Sequence, residues 1–400
     1  MKTFILELYQ KNIQVFQLGL ENYYVNGNYK IKNYPGLVSY ISWVGSSGRG
    51  VGMISVQIGN DKIIYLRTLD NLLDKKDIKH ENSLLTVSGG CLKLQNIYYG
   101  IARFCQRDRN CMILSIEYCE MTPGKNTFSQ LQLCNLLLTN KKVYTTTVEP
   151  GNINSTFRVG TFDVHELNTG VFLGSLLFET YNISLSSGFG IQAFDLQNQI
   201  FFNMFNSFYF GSILDPIVQV KNVVGSTVGG QKFNRYLKNG YFNFENFLPS
   251  LDEVYNISFC NQLLPIYKSF ESMTFIAKDK KVFVYESSQI QGSIRIGQWS
   301  VSNTLDDSLI LGTLYFQTYV VTNNSGMGLM VLELKDRGCI FNQFRTLLTN
   351  PLDPKTMAIN TAAIVGGTGY FKKIDWGYMD FENFSGTDQK ISIFYNNHSN

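Results

Sequence analysis

The residues that could carry chemistry are few and far apart. Three histidines, His80, His165 and His398, lie in distant segments. A Ser-His-Asp or Cys-His arrangement would need one of them brought together with residues from elsewhere in the chain. No His, Cys or Asp cluster has metal-ligand spacing, so neither a metal nor another cofactor is expected. Asp306 and Asp307 read as a solvated turn rather than an acid/base pair. The stretch AAIVGGTGYF, 362–371, looks at first like a phosphate-binding turn. A dinucleotide fingerprint, however, needs Gly-x-Gly-x-x-Gly opening a helix, with an acid about twenty residues on. A Walker loop needs a terminal Gly-Lys-Ser/Thr. Here neither occurs and a strand follows. Gly366, Gly367 and Gly369 are therefore read as a tight strand-to-strand turn, after which Phe371 rejoins the wall. Gly229 and Gly230 have the same reading in the related run VGGQKF.

The elements that must position such residues are set by composition and repetition. Four hundred residues exceed a single core, and 44% hydrophobic content excludes a disordered chain. A net charge of +3 with 16% charged residues offers no basic stripe for nucleic acid. No apolar run reaches membrane-spanning length. Glu7 and Gln10 interrupt the only candidate signal core, so no secretory signal is expected. The expected location is cytoplasmic or within a particle, with secretion left open. The seven cysteines lack a Cys-x-x-Cys pair and read as reduced thiols.

Four segments recur in order at an offset of about 139 residues. KKVYTTT (141–147) returns as KKVFVYE (280–286), and LQNQIFFNMFNSF (196–208) as KDRGCIFNQFRTL (335–347). ILDPIVQVKNVVGSTVGGQKF returns as PLDPKTMAINTAAIVGGTGYF, and KNGYFNFENF as DWGYMDFENF. A fainter copy precedes them, with IGNDKIIYLRTL (58–69), SLLTVSGGCLKLQNIYYG (83–100) and the opening TFILE, which aligns Glu7 with Glu286. The division expected is 1–120, a connector 121–139, 140–260, a connector 261–277, and 278–400.

In the third unit eight β-rich segments follow one another, near 281–286, 293–302, 308–319, 326–334, 338–346, 358–366, 370–381 and 389–395. Eight short strands joined by turns predict a closed up-and-down antiparallel barrel, which leaves no free edge. The fold expected is thus all-β: three tandem eight-stranded barrels. SLILGTLYFQTY and MGLMVLEL are apolar on both faces. A wall facing water should be polar outside, so part of each outer surface must be covered. Packing of the barrels as an intrachain pseudo-trimer would cover it.

The run IRIGQWSVSNTLDDSLILGTLYFQTY through AAIVGGTGYFKKIDWGY resembles the dirigent proteins and allene oxide cyclases. The shared marks are Gly366, Gly367, Thr368, Gly369 and Phe371, then Lys372, Lys373, Gly377 and Tyr378. VFVYES also resembles the first cyclase strand. The resemblance implies eight-stranded barrels that assemble as trimers. It also implies that Glu286, with Glu7 in unit one, stands near a barrel mouth, where a half-buried carboxylate could serve as a general base. Trp299, Trp376 and Tyr285 would then line a lumen for a flat apolar ligand. The plainer reading makes both glutamates outward-facing and the aromatics part of the wall. Thr147 replaces the glutamate in unit two, and Ile374-Asp375-Trp376-Gly377 stands where dirigent proteins have Ala-Arg-Gly. The reading favoured is a non-catalytic structural or interaction protein with protein partners in a large assembly such as a virus particle. The alternative is a dirigent- or cyclase-type protein holding a small apolar ligand in the third barrel.

Overall fold

The computed structural model describes the chain apart from residues 72–82, 95–96, 109–110, 121–127, 185–186, 197–198, 212–215, 230–235, 247–252, 263–270, 305–307, 349–356, 386 and 398–400. Among the described residues regular structure is strand, with short 3-10 turns and no α-helix. Among the described residues no helix is long and apolar enough to cross a membrane.

Unit one comprises β1 (Lys2–Gln17), β2 (Tyr23–Ile31), β3 (Gly36–Val44), β4 (Arg49–Ile58), β5 (Lys62–Asn71), β6 (Leu84–Leu92), β7 (Ile97–Asp108) and β8 (Cys111–Glu120). Each pairs antiparallel with the next, and β1 with β8, closing a barrel. In unit three, β17 (Glu271–Tyr285), β18 (Ile294–Asn303), β19 (Ile310–Thr322), β20 (Ser325–Leu334), β21 (Gly338–Leu348), β22 (Met357–Gly367), β23 (Ile374–Ser385) and β24 (Asp388–Asn397) close in the same way through β17 and β24. Between them run β9 (Phe128–Thr147), β10 (Thr156–Glu166), β11 (Phe172–Asn182), β12 (Ser187–Leu196), β13 (Gln199–Gly211), β14 (Pro216–Gly229), β15 (Tyr236–Asn246) and β16 (Glu253–Gln262). These also pair antiparallel in order, and β9 pairs with both β10 and β16.

The eight segments expected in unit three are all strands. The first strand of each later unit starts earlier than expected, because β9 reaches back to Phe128 and β17 to Glu271, into the spans read as connectors. Each of these long strands carries a bulge, and so does β1. Gln10, Asn140 and Asp279 have φ of 50°, 52° and 55°, unusual for residues other than glycine. Pairing with the last strand of the unit ends before the bulge, whereas pairing with the second strand runs through it. A lysine follows each of the three residues. Lys141 lies over Phe162 at 5.7 Å and Lys280 over Trp299 at 5.0 Å from the ring centre, a cation–π contact in units two and three.

Each second strand carries a glycine beside the stretch just beyond the bulge. A Cβ on Gly27, Gly160 or Gly297 would lie 2.2, 2.3 or 2.5 Å from the carbonyl oxygen of Asn12, Lys142 or Lys281, just beyond the bulge. No side chain fits there. The bulges also correct the expected alignment of Glu7 with Glu286. Phe16 faces Tyr24 as Thr146 faces Phe157 and Tyr285 faces Ile294, so Gln17 and Thr147 are the counterparts of Glu286. Glu7 lies in the half of β1 before the bulge, a half that TFILE matched only through a shared apolar pattern.

Strand alternation separates two kinds of core. In β20, Met330, Leu332 and Leu334 fill the lumen of unit three, whereas Met327, Leu329 and Val331 join a cluster with residues of units one and two. Leu6, Val25, Tyr40, Ile54, Leu66 and Leu114 belong to the lumen of unit one.

Gly297→Ala is expected to destabilise the protein by about 1–3 kcal/mol, the cost of forcing a methyl into a packed wall. Asp279→Val should cost about 1–2 kcal/mol, because a β-branched residue resists positive φ, while Asp279→Gly should change little. Urea unfolding of the three variants measures both effects; a tolerated Gly297→Ala would mean that the strand contact is slack.

Candidate functional site

Of the residues singled out from the sequence, the described candidates for chemistry do not come together. Glu286 follows β17 and is exposed. Glu7 faces outward between the inward Leu6 and Leu8 and pairs with Lys32 at 3.2 Å and Arg107 at 2.5 Å. Lys32, with Arg107, holds its carboxyl below the usual carboxylate range, which keeps it charged and unsuited to act as a base. Trp299 is 1% exposed and stacks against Phe316 in the lumen of unit three, with ring centres 4.6 Å apart. Tyr285 packs against the inter-unit cluster, and burial raises its hydroxyl pKa. Trp376 is placed in β23 opposite Asn396, but its side chain lies outside the described residues.

The glycine run forms a turn. β22 ends at Gly367, a 3-10 turn spans Gly369–Phe371, and β23 starts at Ile374. Gly369 has φ of 61°, and a Cβ there would meet the Arg337 carbonyl oxygen at 2.5 Å. Phe371 is fully buried in the lumen. A Cβ on Gly366 would lie 2.5 Å from the Thr86 hydroxyl of unit one, so this glycine also permits contact between units. Gly229 ends β14 opposite Gln199, and Gly230 lies outside the described residues. His80, His398, Asp306 and Asp307 also lie outside them. His165 meets Phe172 edge-on, with Nδ1 3.1 Å from the Gly170 carbonyl oxygen. Cys105, Cys111, Cys119 and Cys339 are free thiols. Among the described residues no group of three or more His, Cys, Asp and Glu could hold a metal.

The structure instead gathers residues from all three units. Tyr24 faces Trp43 across β2 and β3, Phe157 faces Tyr181 across β10 and β11, and Ile294 faces Tyr319 across β18 and β19. These three pairs meet in one cluster. Trp43 lies 5.0 Å from Tyr181 and 5.9 Å from Tyr319, ring centre to ring centre, and Phe157 lies 4.7 Å from Tyr319. Edge-on aromatic contacts of this kind stabilise beyond the area they bury. Trp43 Nε1 donates to the Tyr319 hydroxyl at 3.1 Å. Asn26 Nδ2 donates to the carbonyl oxygens of Asn154 at 2.8 Å and Asn182 at 2.6 Å.

Beside the rings lie charged and polar groups shut off from water. Glu179 is 0% exposed and Arg67 2% exposed. Arg67 Nη2 donates to Gln343 Oε1 at 2.5 Å, and Gln343 Nε2 donates to the Gln192 carbonyl oxygen at 3.3 Å. This chain joins units one, three and two. Burial pushes the Glu179 carboxyl up to about 8, against the opposing pull of Tyr181, Arg67 and Gln317. Among the described residues neither carboxylate oxygen has a well-aligned hydrogen-bond partner. Burial also lowers Arg67 to about 9, which leaves it charged at neutral pH. Two charged groups taken from water at an interface are costly, so Glu179 is held protonated. A second buried acid, Asp70, accepts hydrogen bonds from Tyr40, Thr68 and Ser83, each at 2.7 Å. Neither acid was legible as special, since Glu179 sits in an ordinary-looking strand, FLGSLLFETYN.

The chain matches no protein-family model, no curated protein and no solved structure.

A raised carboxyl pKa means that the folded chain keeps a proton the unfolded chain releases. Stability from Glu179 is therefore present below its ordinary value of 4.5 and is lost as pH rises toward about 8. Thermal melting from acid to mildly alkaline pH should show this decline in the native protein and a flatter profile in Glu179→Gln. Parallel profiles would exclude Glu179 as the titrating group.

Proposed function

We propose that the chain is a non-catalytic structural or interaction protein, built from three barrels of dirigent and allene oxide cyclase type that pack about a pseudo-threefold axis. The observation that carries this reading is the use made of the strand faces. The inward faces of units one and three are filled by their own side chains, and outward faces from all three units are spent on one another. Unit two supports a third barrel through its strand pairing, in which β9 joins both neighbours in the ring. The matched pairs Tyr24–Trp43, Phe157–Tyr181 and Ile294–Tyr319 support the axis, since each unit offers the same place in its wall.

A lumen ligand in unit three is the competing reading. It is disfavoured by Trp299, Phe316, Met330, Leu332, Phe344 and Phe371, which pack together where a ligand would sit. Lys280 lies over the Trp299 ring. Glu286 is exposed rather than aimed into a cavity. A rigid three-part body fits a partner-binding component of a large assembly, such as a virus particle.

Sedimentation of native material tests the proposal. The protein should travel with a large assembly and separate from it on dissociation; migration solely as a free monomer would overturn the assembly role. A companion variant tests the filled lumen. Trp299→Ala should cost about 3–5 kcal/mol in urea unfolding, as expected for emptying a packed core site. A neutral effect, together with a conversion lost in Glu286→Gln, would favour the ligand reading.

A further inference from the structure

The seam between units one and three contains a cleft of ≈ 140 Å³ that neither lumen explains. Trp43, Phe283 and Tyr315 contribute its aromatic surface. The turn after β3 brings Ser46 and Ser47 to one side, and Lys281 of β17 stands at the exposed rim. Cationic charge is in excess here. Arg49, also in the lining, is bound by Glu333 across the seam, whereas Lys281 has no ion-pair partner among the described residues. The hydroxyls of Ser46 and Ser47 are also unpartnered among them.

These features specify a ligand class. A cavity of about 150 Å³ lined by apolar side chains accommodates one benzene ring, which sets the size. Aromatic walls with a few convergent polar groups are the usual make-up of a small-molecule site. An unpaired ammonium and two hydroxyls in one lining favour a carboxylate over a neutral or cationic substituent. We propose that this cleft binds a small single-ring aromatic carboxylate, the ring between the walls of the two units and the carboxylate at Lys281. Because the cleft borrows from both units, such a ligand would tie them together without entering a barrel. The site is independent of whether the protein belongs to a larger assembly.

Two positions make the idea testable. Gly45 lines the cleft, and a Cβ there would meet only Ile296 Cγ2 at 3.5 Å and Asn22 Oδ1 at 3.9 Å. Gly45→Val should therefore fill the space without straining the backbone. Lys281→Gln removes the charge at an exposed position, where the fold is indifferent to it. Isothermal titration of the full chain with benzoate, benzyl alcohol and benzylamine provides the readout, with melting temperatures confirming that both variants fold. Benzoate should bind saturably and more tightly than the other two. Lys281→Gln should weaken benzoate at least tenfold and leave benzyl alcohol unchanged, and Gly45→Val should abolish binding of both. Absence of saturable benzoate binding, equal binding of benzylamine, or binding unaffected by Gly45→Val would each overturn the proposal.

Discussion

A barrel wall that is apolar on both faces must be covered on both. β20 states the constraint most clearly, with Met330, Leu332 and Leu334 inside unit three and Met327, Leu329 and Val331 outside it. Left in water, the outer residues would add to an apolar patch of the kind soluble proteins avoid. They are buried instead in a cluster to which every unit contributes. Ion pairs then bridge the seams at half-exposed positions, Arg49 with Glu333 and Arg345 with Asp195. The lumens keep units one and three in shape, and the shared cluster draws on residues of all three units.

Matching places in the three units carry unlike residues near the centre of that cluster. Following the strand register, Ile41, Glu179 and Gln317 occupy one such place, and Arg67, Met204 and Gln343 another. An arginine of unit one that reaches a glutamine of unit three is satisfied only when those two units are neighbours in this order. Buried polar groups are a costly way to gain stability, but they penalise the wrong arrangement more than the right one. In a chain of repeated units, which could dock in several ways, that discrimination has a use. The protonated Glu179 fits the same logic, because a neutral acid costs far less to bury than a carboxylate.

The first-strand bulges set the geometry around this centre. In each unit the half of the strand before the bulge pairs with the last strand, a lysine follows the bulge residue, and just beyond it a carbonyl oxygen stands so close to the second strand that only glycine is accepted there. The same device in all three units, despite the weak similarity of unit one, argues that they derive from one ancestral unit. It also shows why a carboxylate before the bulge, Glu7, cannot substitute for one after it, Glu286.

The strands of unit three could be read from their turn signals and alternation, because a closed meander needs only local pairing between neighbours. The two-faced apolar strands likewise required a covered outer surface before any packing was visible. AAIVGGTGYF was legible as a turn, since a strand and not a helix follows it. The alignment of Glu7 was not legible, because the apolar pattern of TFILE fits the first strand on either side of the bulge, and the two fits differ by ten residues. Glu179 and Arg67 were hidden for a different reason. As sequence they are ordinary charged residues in amphipathic strands, which normally face water. Their burial depends on which neighbouring unit lies across the seam, and that is decided by contacts between residues more than a hundred positions apart. Local periodicity determines which face of a strand is apolar; only the packed structure determines what covers it.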